Sequence, residues 1–343
     1  MPASFSSTYD SRMSKNISIV GASGAVGQEL LRVLEDRRFP VNRLRLFGSQ
    51  RSAGSEYLFR GENIRVEELQ HGEQFRDTDI VFASAGASVS REYAQDITRF
   101  GAVLIDNSSA FRLDDDVPLV VPEVNGADAL TRPRNIIANP NCSTIVMALP
   151  LYAIHRLSPV RRVHVATYQA ASGAGARAMA ELKEQYRQVL QNEPVTVEKF
   201  AHQLAYNVIP HIDTFQPNGY TREEMKMHLE TRKIFHTDLS VSAMCVRVPA
   251  LRCHSESVWV ETGQPLTVED VQEAVSQMPG CVLYDRPDNN EYPMPLYLSG
   301  KDGVYVGRIR KDLTNDYSIT FWCVSDQIRK GAALNAVQIA ELL

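Results

Sequence analysis

The sequence predicts an α/β protein in two parts: a doubly wound parallel-sheet nucleotide-binding domain and an α+β catalytic and dimerisation domain with a large mixed sheet. Three observations predict it. Over the first third of the chain, short apolar runs alternate with amphipathic helical stretches. A glycine-rich turn follows the first apolar run and opens the first helix. Beyond about residue 160 the pattern changes to Val-rich alternating segments interrupted by only two clear helices.

In chain order, Asn16 to Val20 reads as a strand, and the helix after it places Val26, Leu30, Leu31 and Leu34 on one face. Arg43 to Phe47, Asp79 to Ala83 and Ala102 to Asp106 read as further strands, with a helix over Ser90 to Phe100. Strands joined by helical crossovers form a parallel sheet. An apolar helix spans Thr144 to Ile154. The second part has strand-like Arg162 to Tyr168, Ser240 to Val248, Ser257 to Glu261, Val304 to Ile309 and Tyr317 to Val324. Helices at Ala174 to Leu190 and Val268 to Met278 interrupt them, and Asp326 to Leu343 is a closing helix. The expected division is an extension over 1–15, a nucleotide-binding domain over 16–141 with segment 324–343 packing back on it, and a catalytic and dimerisation domain over 142–323. Met13 stands just before the first strand, and the residues ahead of it receive no function.

Of the 343 residues, 44% are hydrophobic and 22% charged, ordinary for a globular chain with a full core. A net charge of −5 gives no reason to expect nucleic acid or an anionic membrane as partner. No apolar run is long enough to span a bilayer. The five cysteines are odd in number, irregular in spacing and without a Cys-x-x-Cys pair, which argues against disulfides and metal and for a cytoplasmic location.

Two clusters carry chemistry. Gly21-Ala22-Ser23-Gly24-Ala25-Val26-Gly27 is a turn without bulk that lets backbone N–H groups face a pyrophosphate; a tight turn without ligand is the plain alternative. At the end of the second strand, Ser49, Arg51 and Ser52 replace the acidic residue of an NAD site and suit a 2′-phosphate, so NADP is expected unless this is a solvated loop. The second cluster centres on Asn139-Pro140-Asn141-Cys142-Ser143-Thr144, which places a thiol in the first turn of a helix, where the macrodipole favours thiolate. A structural thiol is the alternative. Its companions are Arg247 and His254, seven residues apart across a loop between strands: an arginine fork for a carboxylate and an imidazole titrating near neutrality.

These segments together resemble the aspartate-β-semialdehyde dehydrogenases from about Asn16 to the C-terminus. Also similar are Asp106 to Arg112, Val120 to Asn125, Tyr168 to Gly173, Glu223 to Lys226 and His254 to Ser257. The resemblance implies reversible, NADPH-dependent reductive dephosphorylation of β-aspartyl phosphate through a thioester on Cys142, in the biosynthesis of aspartate-family amino acids. It implies His254 as acid/base, Gln169 orienting thiol and substrate, Arg247 on the α-carboxylate and Glu223 near the amino group. Arg112 and Lys226 would bind phosphate. Gly21, Ser23, Gly24, Ala25, Val26, Gly27, Arg51, Ser52, Ser172, Gly173 and Gln327 would contact NADP. Read as a helix, Glu223 and Lys226 share a face, where a surface ion pair is the plain alternative. The expected partners are the small-molecule substrates and a second copy of the chain, with a dimer of dimers as the larger option. The nearest rival is an N-acetyl-γ-glutamyl-phosphate reductase, in which an aromatic residue is expected in place of Ala25 and a glycine in place of Asn141. A non-catalytic nucleotide-binding paralogue is the rival from another class.

Overall fold

The computed structural model describes residues 14–343. The expected extension over 1–15 lies outside these residues except for its last two, and Lys15 already opens the first strand. The first half contains β1 (Lys15–Val20), α1 (Ala25–Asp36), β2 (Val41–Gly48), β3 (Glu56–Phe59), β4 (Glu62–Glu68), β5 (Ile80–Ala83), α2 (Ala87–Thr98), β6 (Val103–Asp106), α3 (Pro122–Asn125) and β7 (Ile136–Ala138). Its sheet runs β3-β4-β2-β1-β5-β6-β7 and is parallel except for the β3/β4 hairpin. β3, β4 and β7 escape a periodicity reading. The hairpin is polar and half-exposed, and β7 is only three residues long.

Register places the chemistry. Val20 lies beside Phe47 and Ala83, Ala83 beside Asp106, and Asp106 beside Ala138. The loops after five parallel strands therefore emerge along one edge, the carboxyl edge where α/β sheets bind ligands. The last of these loops leads into α4 (Cys142–Leu157), a helix apolar all round, as one packed against several elements must be. It touches α3, α6 (Arg222–Phe235) and α7 (Val268–Gln277), and lies against strands β8 (Val160–Gln169), β10 (His254–Thr262), β12 (Val304–Lys311) and β13 (Ser318–Ser325).

The second sheet adds β9 (Ser240–Arg247) and β11 (Cys281–Leu283) and runs β11-β12-β13-β10-β8-β9, with parallel β8/β9 and β11/β12 pairs and antiparallel pairs between. Helices α5 (Ala176–Leu190) and α8 (Pro295–Leu298) complete this half. Alternation along β9 buries Val241, Ala243, Cys245 and Arg247 and turns Met244 outward. One face carries core. The other exposes Tyr168 and Met244 and carries a groove of about 660 Å³ lined by Met244, Phe215, Tyr220 and Trp259.

The closing segment is less regular than a single helix. It begins as a π-helical stretch, Arg329–Ala333, and continues as α9 (Leu334–Ala340), which packs on α1 and β6. No helix among the described residues is long and apolar enough to cross a membrane.

Candidate active site

The glycine turn is shaped by close approach. Gly21 has φ +86°, and a Cβ there would sit 2.6 Å from the Ser84 carbonyl oxygen; one on Gly27 would sit 2.4 Å from the Gly21 oxygen. Substitution at either would push α1 away from the sheet. Gly24 supplies the N-cap of α1 without any side-chain hydrogen bond, so the first N–H groups of α1 stay available to an anion. These features fit a dinucleotide pyrophosphate. Arg51 and Ser52 lie in a turn just past β2, on the same sheet edge, with the Ser52 hydroxyl donating to the Ser49 carbonyl at 3.0 Å and Arg51 exposed.

Asn141 starts α4 as its N-cap: Oδ1 accepts from Ser143 N–H at 3.0 Å and Thr144 N–H at 3.3 Å. The Cys142 N–H is left uncommitted and pointing out of the helix start. The Asn141 amide donates onward to Glu223 Oε1 at 2.9 Å, which also accepts from Gln169 Nε2 at 3.2 Å; the same Gln169 amide reaches Ser143 Oγ. Gln169 thus holds Ser143 and Glu223, the neighbours of the thiol, while its own Oε1 is buried without a partner among the described residues.

The anion-binding candidates come from two distant segments. Arg112 donates to Asn139 O at 2.9 Å, Asn107 O at 3.0 Å and Glu230 Oε1 at 3.1 Å. Three of its five N–H donors are spent and two remain. Lys226 pairs with Asp213 at 2.8 Å and Glu223 at 2.9 Å, i, i+3 along α6, leaving one donor. Glu230 was not foreseen. It is buried one further turn along the Glu223 face of α6, and its second oxygen takes the Asn141 N–H at 2.6 Å. The spacing 223, 226, 230 is the signal that would have found it.

Arg247 ends β9, within the strand expected there, and His254 begins β10, which starts three residues ahead of the expected Ser257, so the two face each other across the loop between strands. β8 runs between their strands. Gln169 pairs with Arg247 on one side, and Tyr168 pairs with Ser255 on the other, so His254 follows opposite Gln169. Residues in register on neighbouring strands share a face, which sets Arg247, Gln169 and His254 in one row under α4. Arg247 donates to Ala170 O at 2.7 Å, and His254 Nδ1 accepts the Ala170 N–H at 3.1 Å. The ring therefore carries its proton on Nε2. A Cβ on Gly173 would meet both Arg247 Nη1 and His254 Nε2 at 3.0 Å.

Two expectations about charge are corrected. Burial first, then Glu223, pushes the Cys142 thiol up to about 12 against the pull of Arg112, Arg247 and Lys226. Burial is the largest influence on this thiol, and it opposes the ionisation that a helix start favours. Burial and the Arg247 charge push His254 down to about 3, so it is neutral rather than titrating near pH 7. For Glu223 burial opposes ionisation, but Lys226, Asn141 and Gln169 outweigh it and hold the carboxyl at about 2.

A cavity of about 280 Å³ on the carboxyl edge unites Val26, Arg112, Cys142, Ser172, Gly173, Glu223, Lys226 and Gln327. Gln169, Arg247 and His254 stand just behind that wall, reached through Glu223 and Gly173. Gly21, Ser23, Gly24, Ala25, Gly27, Arg51 and Ser52 are not in the lining; they form the two loops beside it. Ser84 and Gly331 line the cavity without having been singled out, and Asn107 and Ser109 line it from the Asp106 to Arg112 segment, where only Arg112 was given a role. Gly331 is required there, because a Cβ would lie 3.0 Å from that of Cys142. Among the described residues no three His, Cys, Asp or Glu side chains gather as a metal cluster would.

Comparison with known proteins gives a consistent family. Residues 16–132 match a family model described as semialdehyde dehydrogenase, NAD binding domain. Residues 150–330 match semialdehyde dehydrogenase, dimerisation domain. Aspartate-semialdehyde dehydrogenases of Aquifex aeolicus and Bacillus subtilis are each 49% identical, over 96% of this chain and 98% and 97% of their own. Among solved structures, aspartate semialdehyde dehydrogenase II of Vibrio cholerae complexed with ASA superposes with a TM-score of 0.94 at 44% identity, covering 96% of this chain and 98% of that one. The Candida albicans enzyme with NADP gives a TM-score of 0.75 at 25% identity, covering 96% of this chain and 98% of that one.

Proposed function

The chain belongs to the aspartate-semialdehyde dehydrogenase family, and on that premise we propose that it reduces β-aspartyl phosphate to aspartate β-semialdehyde with NADPH, reversibly. That reaction serves the biosynthesis of aspartate-family amino acids. One observation carries the substrate reading. Arg112 and Lys226 are already paired with carboxylates, whereas the buried Arg247 has none within ion-pair distance among the described residues. A buried, unpaired guanidinium beside a thiol calls for a carboxylate from the substrate. The ionised Glu223 beside it suits the substrate ammonium.

In the reductive direction Cys142 Sγ attacks the acyl carbon, the C–O bond to phosphate breaks, and the thiol proton leaves with the phosphate. Arg112 and Lys226 meet that anion with their three remaining N–H groups. The carbonyl oxygen of the thioester lies within the field of the free Cys142 N–H, a donor placed for charge that develops in each tetrahedral stage. A bound reduced nicotinamide supplies the hydride. The hemithioacetal on Cys142 then collapses, and thiolate leaves as the C=O bond reforms. Negative charge on sulfur raises the basicity of the neighbouring imidazole, so His254 draws a proton from solvent and returns it to Cys142.

Arg51, open to solvent on the sheet edge, and the half-buried Ser52 beside it support NADP over NAD, and Ser172 and Gln327 support the nicotinamide end of that cofactor. The outward groove with Met244, Trp259 and Phe215 supports a homodimer formed on this sheet face. The division near residue 141, with α9 returning to α1, is the domain organisation we adopt.

The experiment is a phosphate-dependent assay with aspartate semialdehyde, run with NADP and then NAD, on the wild-type chain and Cys142→Ala. Turnover should vanish in the variant while NADP binding persists; substantial phosphate-dependent activity would falsify the thioester. N-acetyl-γ-glutamate semialdehyde, assayed in parallel, should be a poor substrate, since Ala25 and Asn141 stand where the rival family differs.

A further inference from the structure

The segment between Arg247 and His254 is pinned from two sides. Its Ala250 and Leu251 carbonyls accept from Ala171 N–H at 2.8 Å and Ser172 N–H at 3.1 Å. At its end Cys253 has φ +74°, a left-handed conformation that a residue with a Cβ holds only under constraint. Its N–H donates to Gln327 Oε1 at 3.0 Å, and the Gln327 amide reaches Ser172 Oγ. The next residue is His254, so the backbone setting at Cys253 aims the imidazole.

Arg252 supplies a side-chain anchor to that turn. It stands 2.9 Å from Glu29 and 2.6 Å from Asp326, both buried carboxylates. Glu29 lies on α1, whose open N-terminus faces the pyrophosphate candidate, and it is also held by Arg329 at 2.9 Å. Asp326 takes the Gly300 N–H at 2.6 Å and the Ile328 N–H at 3.0 Å, which fixes the backbone next to Gln327. Arg252 therefore joins three things: the nucleotide helix, the segment carrying Gln327, and the strained turn before His254.

We propose that Arg252 is a positioning residue that ties the Cys253 turn, and with it the His254 ring, to the nucleotide-binding helix through Glu29. The proposal rests on His254 acting in the reaction as described above. Because the ion pairs of Arg252 go to Glu29 and Asp326, neither of them in the cavity lining, its removal misaims the acid/base without removing a group that binds substrate. A misplacement near 1 Å of a reacting group can lower turnover by about 10²-fold, so a partial loosening gives about a tenth of that effect.

The test uses Arg252→Lys, Glu29→Gln and the double variant. Lysine still compensates Asp326 but cannot span both carboxylates, and Glu29→Gln leaves Arg329 with Asp36 and Asp302, so both variants retain the fold. Each should lower kcat about tenfold, with KM for aspartate semialdehyde and phosphate, and the Kd of NADP, changed by less than about threefold. The double variant should be no slower than either single one, because both break the same link. A kcat within about twofold of wild type in either single variant, or losses that multiply in the double, overturns the assignment. His254→Gln is assayed beside them. If it keeps wild-type turnover, the reading of His254 fails and the latch falls with it; if it is inactive while Arg252→Lys is unimpaired, only the latch fails.

Discussion

At the acyl end of the cavity Glu223, Arg112 and Arg247 are held by buried hydrogen bonds, and Lys226 by two carboxylates nearer the surface. At the nucleotide end Arg51 stands exposed in a turn, with no side-chain partner among the described residues. The first region is ordered when the chain folds and binds by groups whose orientation is already set. The second has an ordered backbone turn but leaves the Arg51 side chain exposed for a ligand to meet. Substitution at the acyl end should therefore cost turnover and stability together, whereas substitution at the nucleotide end should cost affinity alone.

The largest effect tests the acyl end. Arg247→Lys keeps the charge but loses the planar fork, and its shorter ammonium cannot both hold Ala170 O and receive a carboxylate. We expect kcat/KM for aspartate semialdehyde to fall about 10²–10³-fold, the cost of a lost buried charge-assisted pair. Steady-state kinetics decide, and a loss below about fivefold removes Arg247 from substrate recognition.

Next in size is the pH dependence of Cys142 itself. With the thiol pushed up to about 12, the thiolate fraction rises about tenfold per pH unit throughout the neutral range. Iodoacetamide should label Cys142 in the free enzyme roughly 100-fold faster at pH 9 than at pH 7. A plateau beginning near pH 7 would mean that the helix dipole does overcome burial, and that the acyl end is pre-ionised as well as pre-ordered.

His254 makes the same point through stability. Its folded value near 3 lies below the unfolded one near 6.5, so between those limits the unfolded chain binds the extra proton. Stability is full above about pH 6.5 and falls as pH drops toward 3. His254→Gln should remove that slope, so that the decline in unfolding free energy from pH 7 to pH 5 is shallower by about 2 kcal/mol. Urea melts at the two pH values measure it. Equal slopes in both proteins would place the imidazole in a wetter, less pre-ordered setting.

The same contrast explains what could be read from the sequence. Gly21 to Gly27 and Asn139 to Thr144 are local: turn, cap and helix start lie within seven residues of one another, so residue type and spacing already imply their geometry. The alternation of Arg162 to Tyr168 gave the strand but stopped one residue short of Gln169, which entered only through the family resemblance. What stayed hidden depends on which strands are neighbours. The loop between the strands of Arg247 and His254 was legible, but nothing in the order of the chain says that β8 runs between β9 and β10 and sets Gln169 between the two residues. Glu230 and Arg252 were passed over because surface carboxylates and guanidinium groups are the default for those residue types; only packing reveals that Glu230 is buried and Arg252 bridges Glu29 and Asp326. The ionisation of Cys142 and His254 was misjudged for a related reason. A helix start and an imidazole are visible in sequence, but the desolvation that opposes their ionisation is a property of the assembled site.

The smallest effect tests the nucleotide end. Arg51 is exposed and its guanidinium has no partner among the described residues, so Arg51→Ala should leave the thermal midpoint unchanged. A 2′-phosphate would be its one strong contact, through charge-assisted hydrogen bonds worth about 1.5 kcal/mol at such a solvated position. The variant should therefore bind NADP about tenfold more weakly and bind NAD as before. The comparison between the two cofactors carries the inference. Equal weakening for both would assign Arg51 to the shared pyrophosphate, and no change for either would return the Ser49 to Gly54 turn to a solvated loop. Only a loss confined to NADP keeps cofactor choice in a residue that the fold leaves free, opposite an acyl end that the fold has already fixed.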